Sequence, residues 1–193
     1  KRFMNTLEPF NHIRVEYFEK PARAMVRIEN ADIVETNRGM ETSLRKVSLA
    51  GFFTEFVDRL TKEREPHDTL FFLLKEALGK TKMEELTYPE FLCFQLRMLE
   101  TLGFLPNFHS CVCCGTSEPH AERTYFSKER GGIVCGPCAR STAHEEYCQG
   151  IIPWLASLKD GNGEAAQASF EYEARDLMEG FIAYHLDVSF KSY

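Results

Sequence analysis

Four cysteines set in two C-x-x-C pairs, Cys111 with Cys114 and Cys135 with Cys138, restrict the folding of this chain more than any other feature. Twenty residues separate the pairs, giving C-x2-C-x20-C-x2-C, at the upper edge of the spacing used by structural zinc sites. Zn²⁺ takes four tetrahedral ligands with each sulfur about 2.3 Å away, and two residues between paired cysteines let one tight turn aim both thiolates at one ion. Gly115 follows the first pair and Gly136 lies inside the second, so both are expected where positive φ or a close backbone approach to sulfur is needed. Cys113 has Ser110 and Thr116 three residues to either side, forms no C-x-x-C pair, and leaves the register to Cys111 and Cys114. Two other readings stay open. One is a mixed set in which His109, His120 or His144 replaces a cysteine; the other is a redox dithiol at Cys135-Gly136-Pro137-Cys138, a motif that thioredoxin-like enzymes place at a helix N-terminus.

Seven cysteines is an odd number, and nothing else in the chain suggests an oxidising compartment, so a disulfide framework is disfavoured. No apolar run approaches the roughly 18 residues that span a bilayer, and the N-terminus lacks a basic-then-apolar signal, so a cytoplasmic location is expected. Hydrophobic residues make up 44% of the 193 and include 16 Phe, enough for one large or two small cores. The chain opens Lys1-Arg2-Phe3 without an initiator Met, which is read as a trimmed or partial protein. Net charge is −6, yet residues 1–48 carry nine Lys and Arg against seven Asp and Glu. That local excess is a soft pointer to an anionic partner.

Residues 12 to 18 alternate apolar and polar, and so do residues 24 to 34 beyond a Lys20-Pro21 break, which predicts two strands joined by a turn. From Ser43 the period lengthens: Leu44, Val47, Leu49, Phe52, Phe53, Phe56, Val57 and Leu60 predict an amphipathic helix to about Thr61. A second helix is expected over Leu70–Leu78 with Asp68 as its N-cap. A third should follow Tyr88, with Pro89 at its first position and Gly103 as its stop. Between about Asn107 and Gly150 the periodicity disappears, which predicts an insert without a core of its own. Beyond it Ile151–Leu158 reads as a short helix and Phe170 to about Phe190 as a long one. Cys93, between Leu92 and Phe94, is expected to be a buried inert thiol, and Cys148 has no assigned role.

No phosphate-cradling Gly-rich loop, G-x-S-x-G or H-E-x-x-H is present. Four protein ligands would leave a zinc ion no open position for substrate, so the chemistry points to a non-enzymatic binding protein.

Several short runs, in order, resemble the bacterial RecO recombination mediators. They are Lys1-Arg2-Phe3, Leu7-Glu8-Pro9-Phe10, Leu99-Glu100-x-Leu102-Gly103-Phe104-x-Pro106, Cys111-Val112-x-Cys114-Gly115, Tyr125-Phe126-Ser127, Gly131-Gly132-Ile133-Val134-Cys135 with Cys138, and Tyr184-His185-Leu186 with Lys191-Ser192. The resemblance implies an α+β protein. Residues 1–38 would be the C-terminal part of an OB-fold domain whose first strands precede Lys1. Residues 39–193 would form a helical domain, and 107–150 a zinc-finger insert within it.

It further implies one structural Zn²⁺ on Cys111, Cys114, Cys135 and Cys138, and a DNA repair role without catalysis. That role includes binding single- and double-stranded DNA, annealing complementary strands, and helping RecA together with RecR. It also includes capture of the acidic C-terminal tail of single-stranded DNA-binding protein, for which Lys75, Lys80, Lys82 and Arg97 are candidate rim residues. OB folds hold single strands by aromatic stacking and a positive groove, so Lys1, Arg2, Arg14, Lys20, Arg23 and Arg27, with Tyr17 and Phe18, are the candidate DNA contacts. Strand alternation is expected to split these between two faces. The alternative is a structural zinc-containing adaptor that binds protein partners and no nucleic acid.

Overall fold

The computed structural model describes residues 3–20, 25–117, 123–161 and 168–186. Its first element is an antiparallel pair, β1 (His12–Phe18) with β2 (Arg27–Glu35), in which the register sets Val15 against Ala31 and Phe18 against Arg27. Two irregularities, at His12/Ile13 and Glu16/Tyr17, break the ladder. They leave Ile13, Val15 and Tyr17 on one side and Arg14, Glu16 and Phe18 on the other.

A helical body follows. Helix α1 (Leu44–Leu60) buries Ala50, Phe52, Phe53 and Phe56, the middle of the predicted stripe, whereas Leu44 at its first turn lies outside the core and is 84% exposed. Helix α2 runs Asp68–Met83, five residues past the predicted end, because Thr81 continues the buried face beyond Leu78. Its N-cap is His67, with no side-chain cap bond, so Asp68 sits inside the first turn. There a carboxylate meets the positive end of the helix dipole without capping it.

Helix α3 (Tyr88–Thr101) begins one residue before Pro89. Thr87 caps it through a capping box: its hydroxyl accepts from the Glu90 N–H at 3.4 Å, while the Glu90 carboxylate accepts from the Thr87 N–H at 2.8 Å. Gly103, at φ +76°, ends it as expected.

The stretch after Asn107 is not devoid of regular structure. It contains β3 (Thr124–Ser127), β4 (Gly132–Val134), the single-turn α4 (Gly136–Ala139) and β5 (Glu145–Tyr147), with sheet order β4-β3-β5, all antiparallel. The expectation of a coreless insert is therefore half right. Phe126, Ile133 and Tyr147 are buried in the main core with α1, α2, α3, α5 (Ile151–Lys159) and α6 (Ala168–Leu186). Their neighbours Tyr125 and Val134 instead pack around the cysteines. The period-two alternation of a strand thus gives each side of the sheet a different core. The fold is α+β, and among the described residues no helix is long and apolar enough to cross a membrane.

Candidate metal centre

Two backbone turns bring the cysteines together. Cys111 to Gly115 form a knuckle in which the Gly115 N–H donates to the Cys111 carbonyl at 2.8 Å and Gly115 takes φ +77°, as its position predicts. The second turn begins where β4 ends: Cys135 is the N-cap of α4, and Cys138 lies within that helical turn. Gly136 is an ordinary helical residue without positive φ, and a side chain there would meet nothing within 4 Å, so the role expected of it is not needed.

The sulfurs of Cys111, Cys114, Cys135 and Cys138 all lie within 4.8 Å of one another, and Cys114 Sγ is 3.6 Å from Cys135 Sγ. Four sulfurs bound tetrahedrally to one zinc lie roughly 3.8 Å apart, from a Zn–S distance of about 2.3 Å, so the donor set and its spacing fit a metal site. The same separation is too long for a disulfide, and all seven cysteines are free. Backbone N–H groups prepare the sulfurs for charge. Those of Cys113 and Cys135 point at Cys111 Sγ from 3.4 and 3.3 Å. Burial works against ionisation of the Cys111 thiol, but these donors outweigh it and hold the thiol at about 6. Cys138 is pushed well up by the sulfurs of Cys135 and Cys114 beside it, since crowded thiols give up their protons in turn and not together.

Cys113 does not join the group: it is exposed, and its sulfur is 3.4 Å from the Thr142 hydroxyl. His144 does not join either; its ring stands edge-on to Tyr125 at 4.9 Å and its Nδ1 donates to the Thr142 carbonyl at 2.8 Å. His120 lies outside the described residues. Of the redox reading, one element is present, since Cys135 follows a strand and caps a helical turn. The surrounding sheet is antiparallel, however, without the parallel βαβ frame that motif requires.

The candidate DNA contacts are less concentrated. Arg14 and Arg27 share one side of the β1–β2 pair with Phe18, and Tyr17 projects to the other, so the expected split falls on the aromatics and not on these arginines. On the shared side Glu16 and Asp32 stand beside Arg14, and Arg27 is ion-paired to Glu29. Lys20 is exposed, while Lys1, Arg2 and Arg23 lie outside the described residues.

The proposed rim lysines and arginine are already engaged: Lys75 with Glu35 at 3.2 Å, Lys80 with Glu90 at 2.7 Å, Lys82 with the Thr36 carbonyl at 2.7 Å, and Arg97 with Glu76 at 3.4 Å. A different cleft, of about 380 Å³, is lined by Phe52, Tyr88 and Phe91 together with Arg175 and Arg45, the latter donating to the Leu86 carbonyl at 2.9 Å. The Arg175 guanidinium sits 4.9 Å over the Tyr88 ring. This cleft has no signature in the sequence because its residues come from α1, α3 and α6, far apart in the chain. The β3–β4 hairpin, absent from the sequence-based expectation, has only a short signal, a Tyr-Phe-Ser run and a Gly-Gly-Ile-Val run flanking a turn.

Residues 41–193 match the family described as Recombination protein O C terminal. Over 193 residues the chain is 32% identical to the DNA repair protein RecO of Myxococcus xanthus, covering 100% of the chain and 78% of that protein. It is 30% identical to the DNA repair protein RecO of an Anaeromyxobacter species, over 96% of the chain and 75% of the relative. It is 25% identical to that of Caldanaerobacter subterraneus, over 99% and 78%.

Proposed function

The chain belongs to the RecO family of DNA repair proteins, and on that premise we propose that it binds single- and double-stranded DNA, anneals complementary strands and assists RecA loading together with RecR, without covalent catalysis. The observation that carries this reading is similarity across 96–100% of the chain to proteins named for DNA repair. Residues 1–38 are proposed as part of an OB-fold domain, 39–193 as the helical domain and 107–150 as its zinc-finger insert. The cysteine cluster is assigned one Zn²⁺, held by Cys111, Cys114, Cys135 and Cys138. Bound there, zinc would supply folding energy and no reactive position, since the protein fills all four sites.

The cleft between Arg45 and Arg175 supports capture of an acidic, apolar tail such as that of single-stranded DNA-binding protein. Its aromatic walls would take the apolar end while the guanidiniums face carboxylates. On the DNA side, Arg14, Lys20 and Arg27, with Lys1, Arg2 and Arg23, would neutralise phosphates so that two like-charged strands can meet. The test is annealing of complementary oligonucleotides by the full-length protein without nucleotide. Acceleration that fades as salt rises is expected, and an absolute need for ATP hydrolysis would overturn the reading.

One observation favours the second reading, a protein-binding adaptor. On the side of the β1–β2 pair that holds Arg14 and Arg27, Glu16 and Asp32 stand beside Arg14 and Glu29 pairs with Arg27, so carboxylates accompany both cations.

A further inference from the structure

Strand β3 carries one core on each side, and its next residue, Lys128, is where the sheet meets α6. Phe126 sits with its ring centroid 6.4 Å from that of Phe181 on α6. At the sheet's edge the contact turns polar and converges on Lys128, whose side chain is only 20% exposed. Its ammonium lies 2.6 Å from a Glu145 carboxylate oxygen on β5 and 3.5 Å from one of Asp176 on α6. The buried Tyr147 hydroxyl reaches the same two oxygens, at 2.6 and 2.9 Å. The Lys128 backbone takes part as well, its carbonyl accepting from His185 Nε2 at 2.7 Å.

Gly180 gives this arrangement its meaning. It stands one turn beyond Asp176 on α6, where glycine is a poor helix former. A β-carbon there would overlap the outer atoms of the Lys128 side chain, standing 2.6 Å from its Cδ. The lysine stem therefore crosses the helix in the gap that the glycine leaves. Because the overlapping atoms are the far end of a flexible chain, an alanine would not break the helix. It would push the lysine off its seat and away from both carboxylates.

We infer that Lys128 is a pin at the edge of the cysteine-bearing sheet that, added to the packing of Phe126 on Phe181, couples the opening of β5 to that of the second half of α6. Without it, among the described residues Tyr147 is left as the donor that Glu145 and Asp176 share, and their like charge weakens the contact between β5 and α6.

Hydrogen exchange measured by mass spectrometry on the full chain, at equal metal content, tests this. Lys128→Met, or Lys128→Gln if that variant folds poorly, should speed exchange by about tenfold in both β5 and the second half of α6, leaving α1 to α3 unchanged. Gly180→Ala should speed it in the same two segments, against the direction that helix propensity alone dictates. Combining Gly180→Ala with Lys128→Met should add nothing further, since the pin is already displaced. Slower exchange in α6 of Gly180→Ala, a Lys128 effect confined to the 128–131 turn, or additive effects would each overturn the inference.

Discussion

Cys113 and Cys114 are neighbours in sequence with opposite surroundings. Cys114 points its sulfur at Cys135, and Cys113 points its own at Thr142 on the outside of the insert. Only the backbone N–H of Cys113 serves the cluster, by donating toward Cys111 Sγ, and any residue but proline supplies that donor. Cys113→Ser is accordingly expected to keep full metal stoichiometry by native mass spectrometry and to change stability by no more than about 0.5 kcal/mol. Cys111→Ser should lose the metal, because it replaces the thiolate that two backbone N–H groups hold with a hydroxyl that is a poor zinc ligand. Urea unfolding of that variant should then show the insert melting before the helical body. Retention of one metal per chain in Cys111→Ser would contradict the assignment of the four ligands.

Helix α3 shows how an element is fixed at its start. Thr87 and Glu90 satisfy each other's N–H groups, and Lys80 on α2 bonds the same Glu90 carboxylate at 2.7 Å. Thr87→Ala should cost about 1 kcal/mol in urea titration, the usual worth of such a cap. The hydrogen bond from Lys80 lowers the Glu90 carboxyl below its ordinary 4.5, burial opposes the shift, and the Thr87 N–H adds to it. A depressed acid contributes stability that is present above 4.5 and lost as pH falls through the folded value. The stability gap between wild type and Glu90→Gln should therefore be widest near neutral pH and should narrow as pH falls from 4.5 through the lowered folded value. A gap independent of pH would refute the role given to the charge.

At the scale of the whole molecule, what could be read from sequence followed from period and length. The strands near residues 12–18 and 27–35 and the helices were visible because their repeats run long enough to declare a face. The strands β3 and β4, of four and three residues, are too short to do so, which hid the fact that Phe126 and Ile133 belong to the main core. The four-cysteine group was legible because C-x-x-C spacing is itself a geometric statement. The cleft at Arg45 and Arg175 and the Lys128 seat were not, because each is assembled from residues brought together only by packing. Family membership fixes DNA repair as the protein's sphere, and the central claim built on it is that the protein's own surface holds nucleic acid. The direct measurement is fluorescence anisotropy of labelled single-stranded DNA titrated with the full-length protein at two salt concentrations. Saturable binding at low salt is predicted, falling with a log–log slope on the order of −3 if about four cations engage phosphates. A flat titration at low salt would contradict that account and favour the protein-binding adaptor in its place.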